Sequence, residues 1–324
     1  MRIFIRTDAS FHIGSGHVQR CLTLAHSLKN KGADVQFICR QLPRTYIQEI
    51  ERIPFVVHQI PNTKENAADD LLLGNQWQQD AESTASFLRN NSTEIDWLII
   101  DHYSIDQRWE QTLAKFVKRI MVIDDLANRS HACDLLLDQN FYLQKNRYQS
   151  YVPKNCVQLI GPSYALLRKQ FSEQDDLSRE GRLGRILVYF GGVDIGNETA
   201  KSLNAIQKFS KKNLKVDVIL GLLNPHKETL ERKIHSLEHV NCHIGVSNMA
   251  QIMMKADLSL GAGGSTTWER CCLGLPSVVL ALAENQVQSN EDLATEKIIH
   301  YLGKSNEVTE DDLLEVLKYY YSFP

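Results

Sequence analysis

The run Ser10–Phe11–His12–Ile13–Gly14–Ser15–Gly16–His17–Val18–Gln19–Arg20 follows the apolar stretch Ile3–Ile5 and concentrates glycines, histidines and an arginine. A glycine turn that leads from a strand into a helix exposes backbone N–H groups and the positive end of the helix dipole, which together favour an anion. His17 falls in the first turn of that helix. The dipole disfavours the imidazolium there, and a neutral ring is the condition for a general base. Its alternative role is to cap backbone groups; the small residues around it and Asp8 just past the strand favour chemistry. Arg20 lies one turn on and could meet a phosphate, a solvated arginine being the alternative. The dinucleotide fingerprint needs a third glycine where Gln19 stands, and an acid after the second strand where Arg40 stands, so NAD is disfavoured and Arg40 leaves only NADP open.

Asp101–His102–Tyr103 ends the apolar run Trp97–Ile100, and Asp124–Asp125 ends Met121–Ile123. Strand carboxyl ends are where open α/β sheets place ligands, although acids there also cap the next helix. Combining these with His131 and Cys133 gives no recognised metal-ligand spacing. In the second half, Phe190–Gly191–Gly192–Val193–Asp194 again puts glycines after a strand. Gly261–Ala262–Gly263–Gly264–Ser265–Thr266–Thr267–Trp268–Glu269 does so with hydroxyls opening a helix. That loop supplies donors for a diphosphate. Glu269 can accept from vicinal ribose hydroxyls or, alternatively, act as a helix-start acid. Asn285 and Gln286 follow the next strand, beside the same loop.

The elements that position these residues alternate through the chain. Apolar runs predict strands at Ile3–Ile5, Val35–Cys39, Phe55–His58, Trp97–Ile100, Met121–Ile123, Leu135–Leu137, Val157–Ile160, Ile186–Phe190, Val216–Leu220, Cys242–Ile244, Leu258–Leu260 and Val278–Leu280. Helical stretches separate most of them; Val18, Cys21, Leu22, Ala25 and Leu28 form one apolar stripe. Continuous apolar strands between helices imply parallel sheets covered on both faces. A length of 324 residues fits two domains. The polar stretch Ser172–Arg185 reads as the linker, giving domains 1–171 and 186–324 that face each other across a cleft. Asp311–Phe323 reads as a final helix that could cap either domain.

Charge and composition exclude several classes. There are 36 basic and 39 acidic side chains, a net charge of −3, which offers no footprint for nucleic acid or an anionic membrane. The start MRIFIRTDAS is too short in apolar residues for a signal segment, and no run of about 18 apolar residues occurs. Cys21, Cys39, Cys133, Cys156, Cys242, Cys271 and Cys272 are odd in number and contain no CxxC, so reduced thiols are expected. A cytoplasmic, monomeric protein without cofactor or metal is the expectation.

Together, RTDAS–HIGSGHVQRCLTLA, IDHY, GPSYALLRKQF (Gly161–Phe171), GGVD and GAGGSTTWE resemble the UDP-2,4-diacetamido-2,4,6-trideoxy-β-L-altropyranose hydrolases of pseudaminic acid synthesis, in order and over most of the chain. The glycine–glutamate region is shared more widely with two-Rossmann-domain (GT-B) glycosyltransferases, including the peptidoglycan enzyme that adds N-acetylglucosamine to lipid I. The resemblance implies a GT-B-like fold and metal-independent hydrolysis of a UDP-sugar, with inverting attack of water at the anomeric carbon. It implies His17 as general base and Tyr103 near the sugar. Asp8, Gly14, Ser15, Gly16, Arg20, Arg168 and Asn285 would line the sugar side. Gly191, Gly192, Gly263, Gly264, Ser265, Thr266 and Glu269 would hold UDP, Glu269 through the ribose. Contacts by Thr267 and Trp268 are left open. A UDP-sugar glycosyltransferase with an unidentified acceptor is the alternative.

Overall fold

The computed structural model describes residues 1–8, 16–40, 44, 47, 50, 55–61, 76–90, 93–173, 181–211 and 213–322. Gly14 and Ser15, and residues 174–180 of the expected linker, lie outside these. The chain divides into two units, Met1–Leu166 and Leu167–Pro324. Residues 167–171, which the sequence reading assigned to the first domain, belong to the second. The reason is Phe171: it is fully buried in the second unit's core with Leu187, Ile219 and Met253.

The first unit is built on strands β1 (Arg2–Thr7), β2 (Asp34–Cys39), β3 (Val56–Gln59), β4 (Trp97–Asp101), β5 (Arg119–Ile123), β6 (Leu135–Asp138) and β7 (Val157–Ile160). They form one sheet in the order β3-β2-β1-β4-β5-β6-β7, and every pair is parallel. Helices given in full among its described residues are α1 (Gly16–Asn30), α2 (Trp77–Arg89) and α3 (Gln107–Leu113). Asp106 caps α3 by accepting from the Arg108 N–H at 2.9 Å. One face of the sheet closes over Phe4, Leu98, Ile100, Trp109, Leu113 and Leu136. Each such side chain contributes about 1.5–3 kcal/mol on burial.

The second unit begins with α4 (Lys169–Ser172). It continues through β8 (Arg185–Tyr189), α5 (Glu198–Phe209), β9 (Lys215–Leu220), α6 (Lys227–His235), β10 (Val240–Ile244), α7 (Met249–Lys255) and β11 (Leu258–Ala262). It ends with α8 (Ser265–Cys272), β12 (Ser277–Ala281), α9 (Val287–Thr295), β13 (His300–Lys304) and α10 (Glu310–Ser322). The sheet runs β10-β9-β8-β11-β12-β13, again all parallel. β11 and β12 are buried at every residue, as central strands covered on both faces must be. The expected C-terminal helix is α10, and it packs on α5 of its own unit, with Leu313 and Leu317 fully buried.

Every predicted strand is present. β13 was not anticipated, because HYLGK is half-buried throughout and has no apolar run; it lies at the sheet edge. In each sheet the strand order reverses once, between β1 and β4 and between β8 and β11. Loops leaving the carboxyl ends on the two sides of such a reversal turn to opposite faces and open a crevice for ligand.

Candidate active site

In the first unit, that reversal receives the start of α1 and the segment Asp101–His102–Tyr103 at the end of β4. Gly16 starts α1 and His17 is in its first turn, as the glycine run predicts. His17 Nδ1 donates to Asp101 Oδ1, and both side chains are buried. A carboxylate only accepts, so Nδ1 carries a proton, and Nε2 is the nitrogen that can accept one when the ring is neutral. The Tyr103 ring stands edge-on to His17, with centroids 4.3 Å apart. Asp101, read as either a capping or a ligand-facing acid, thus orients the histidine.

Arg20 is committed to two buried carboxylates. Its Nε and Nη2 donate to Asp101 at 2.6 and 2.7 Å, and Nη1 donates to Asp125 at 3.0 Å. Burial alone would raise the Asp101 carboxyl; Arg20, and then His17, hold it well below the usual carboxylate range. Burial pushes the Tyr103 hydroxyl well up, and its hydrogen-bonded neighbour Asp125 adds to that.

Asp8 is also consumed internally. It accepts from Arg6 Nη2 at 2.8 Å and the Arg40 N–H at 2.7 Å, and lies 3.3 Å from His102 Nε2. Burial would raise the Asp8 carboxyl, but Arg6 and His102 depress it far more. Arg40 pairs with Asp80 at 2.7 Å. Arg6 and the Trp109 indole reach the same Asp80, at 2.9 and 2.7 Å.

Sequence reasoning passed over Asp138, at the carboxyl end of β6. Arg147 Nη1 donates to it at 2.7 Å, and the Tyr148 hydroxyl lies 3.0 Å from Asp124 Oδ2 and 3.2 Å from Asp138 Oδ2. Burial, reinforced by Asp125 and Asp124 and opposed by the Asn140 N–H and Arg147, pushes Asp138 up to about 7. Its position at a strand end was the available signal. His131 binds Glu110 at 2.6 Å and Cys133 Sγ lies 3.6 Å from Cys156 Sγ. Among the described residues no group of three or more His, Cys, Asp or Glu side chains is arranged to hold a metal ion.

In the second unit, β8, β11 and β12 are neighbours and deliver the glycine turns and Asn285 to one edge of the sheet. Gly191 turns with φ +90°, a conformation that glycine adopts without strain. The Gly192 carbonyl approaches Gly221 so closely that a Cβ there would sit 2.0 Å from it. Asp194 caps α5, accepting from the Glu198 and Thr199 N–H groups at 2.8 and 3.1 Å. Gly264 precedes α8 with φ +99°, and Ser265 and Thr266 open the helix half-buried. Asn285 lies half-buried in a short turn after β12, and Gln286 braces that turn by accepting from the Leu282 N–H at 2.9 Å.

Glu269 is one turn into α8 rather than at its start, which removes the capping alternative. Arg168, expected toward the sugar, donates to Glu269 Oε1 from Nε at 2.9 Å and from Nη2 at 2.7 Å. Oε2 receives neither bond. Burial raises the Glu269 carboxyl, and Arg168 pulls it part of the way back.

No protein-family model matches the chain. It is 27% identical over 290 residues to the UDP-2,4-diacetamido-2,4,6-trideoxy-beta-L-altropyranose hydrolase of Campylobacter jejuni, covering 88% of this chain and 93% of that protein. Among solved structures, Arabidopsis thaliana UGT89C1 complexed with UDP matches with a TM-score of 0.69 at 13% identity, covering 98% of this chain and 90% of that one. The glycotransferase of kitacinnamycin matches with a TM-score of 0.66 at 16% identity, covering 100% and 91%. The fold is the two-Rossmann-like GT-B type. Among the described residues, no helix is long and apolar enough to cross a membrane.

Proposed function

We propose that this protein is a UDP-sugar hydrolase that releases UDP from UDP-2,4-diacetamido-2,4,6-trideoxy-β-L-altropyranose by metal-independent, inverting attack of water at the anomeric carbon. The observation that carries the reading is the His17–Asp101 pair at the strand-order reversal of the first sheet. The similarity to the Campylobacter jejuni hydrolase over most of both chains supports the substrate class.

Water is a poor nucleophile until a base takes its proton. His17 Nε2 accepts that proton as the oxygen bonds to the anomeric carbon. The bond from that carbon to the glycosidic oxygen breaks, and its electron pair leaves on UDP. General-base help of this kind is worth about 10²–10⁴-fold. Asp101 fixes the imidazole tautomer and lies against the imidazolium that forms, while Arg20 keeps that carboxylate ionised. Arg20 and Asp8 are thereby positioning residues rather than sugar contacts. UDP as a leaving group needs little acid, because backbone donors and a helix dipole stabilise its developing charge. Gly191, Gly192, Gly263, Gly264, Ser265 and Thr266 hold the diphosphate, Glu269 takes the ribose hydroxyls, and Tyr103 and Asn285 contact the sugar.

Hydrolysis in ¹⁸O water, followed by NMR and mass analysis, tests the mechanism. Label in the free sugar is expected; label in UDP or phosphate would mean attack at phosphorus and overturn it. Turnover should survive a chelator. The GT-B likeness to a glycotransferase favours a second reading, transfer to an acceptor other than water. UDP release that requires an added acceptor would select it.

A further inference from the structure

Among the described residues, Arg6, Arg20 and Arg270 are buried arginines, and the first two are neutralised on the spot. Arg6 sits on Asp8 and Asp80, and Arg20 sits on Asp101 and Asp125. Arg270, 1% exposed on α8, has no carboxylate within hydrogen-bond reach among the described residues. Its Nη2 donates to the Ala262 carbonyl at 2.7 Å and to Thr267 Oγ1 at 3.1 Å, both neutral, and its Nε and Nη1 are buried without a partner. Removing a guanidinium from water without an opposing charge costs several kcal/mol. Burial accordingly pushes Arg270 down to about 10, with Cys271 and Glu269 only partly opposing it. The nearby acid, Glu269, is already bound by Arg168.

The place of this charge is informative. Helical side chains lean toward the N-terminus, so Arg270 reaches back beneath the loop that opens α8. A Cβ at Gly261 would lie 2.6 Å from Arg270 Nη1 and 2.5 Å from the Tyr189 carbonyl, so the guanidinium sits directly at the β8–β11 reversal. Asn290, 2% exposed, has its amide against Gly263, and its Nδ2 is likewise buried without a partner. The loop 261–264 is thus backed by unpartnered N–H donors and a net positive charge, at the N-terminus of an eight-residue helix.

We propose that Arg270 is the electrostatic anchor for the diphosphate of a bound nucleotide: a charge held unpaired in the free protein and compensated when the anion reaches the loop 261–264. This rests on the reading of the second unit as the UDP-holding one. Arg270 is a positioning residue, acting through the loop and the helix start rather than by touching the sugar. Its charge selects diphosphate-bearing ligands over nucleosides, a discrimination that the Glu269 contact to ribose cannot make.

The test is calorimetry with the full chain, titrating UDP, uridine and inorganic pyrophosphate into wild type, Arg270→Met and Arg270→Lys, with thermal melting of each. In Arg270→Met, UDP and pyrophosphate affinities are expected to fall by about tenfold or more. Uridine affinity should stay as it was, and the ligand-free variant should melt no lower than wild type because an unpaired buried charge is gone. Arg270→Lys should keep most of the preference for UDP, and it carries the comparison if Arg270→Met does not fold. Equal weakening of UDP and uridine, or UDP binding unchanged in Arg270→Met, would overturn the inference while leaving a nucleotide site in place. Wild type that binds neither UDP nor uridine would instead overturn the reading of the second unit.

Discussion

Asp101 and His17, 84 residues apart in the chain, are joined by a buried hydrogen bond through Nδ1. β1 and β4 are adjacent at the strand-order reversal, so the acid ending one and the helix following the other meet there. The pair has the layout of a base and its orienting carboxylate.

His17→Asn should lower turnover by about 10²–10⁴-fold with substrate binding retained, as loss of a general base does. UDP release measured beside calorimetric binding checks this. Near-wild-type turnover would remove His17 from the mechanism.

Asp101→Asn affects both chemistry and stability. The amide removes one acceptor from a carboxylate that serves His17 and Arg20 together, leaving the arginine charge partly unmatched. Breaking a buried pair in this way costs about 3–5 kcal/mol. Denaturant unfolding should show that loss, and the turnover of the folded fraction should fall as well. Because the folded Asp101 carboxyl is held below its unfolded value, its contribution is complete above about pH 4 and disappears as pH falls further.

Asp138 has the opposite sign. Its carboxyl is pushed up to about 7 in the folded protein, so between about pH 4 and 7 the native state binds the extra proton. Stability therefore falls as pH rises through this window, by an amount on the order of a few kcal/mol. Asp138→Asn should flatten that slope in thermal melts at pH 5, 6, 7 and 8; an unchanged slope would place its origin elsewhere.

Arg168→Ala leaves Glu269 in its buried position without the guanidinium that favours its charge. The Glu269 carboxyl should then take up a proton at higher pH than in wild type. If its carboxylate accepts from ribose, UDP binding by the variant should be weaker at pH 6 than at pH 8, and wild type should show less of this dependence. Calorimetry at the two pH values reads the difference directly.

Gly221→Ala places a methyl group 2.0 Å from the Gly192 carbonyl, a backbone atom that cannot swing aside. Overpacking of this kind costs about 1–3 kcal/mol. The Gly191–Gly192 turn should shift, lowering the melting temperature and weakening UDP binding together. A variant with wild-type affinity for UDP would detach this turn from the binding site.

Local composition was enough to place most of the strands and the two glycine turns of the second unit, because a strand buried on both faces must be apolar at consecutive residues and a tight turn after it needs glycine. The edge strand β13 escaped this logic, since half-burial demands no apolar run. The types at the site were legible too: a histidine opening a helix, acids ending strands, a glutamate beyond a glycine loop. What those side chains do to one another was decided by the sheet order. Reversal of that order brings Asp101 to His17 and Arg20, so an arginine that reads as phosphate-facing pairs instead with the carboxylate that holds the histidine. The same reversal in the second sheet buries Arg270 beneath a glycine loop, although nothing in its local sequence marks that arginine as buried. Sequence specifies which groups are present and which elements carry them. Their pairing, and hence their charge state, depends on contacts between residues many tens of positions apart, which only the folded sheet brings within hydrogen-bonding distance.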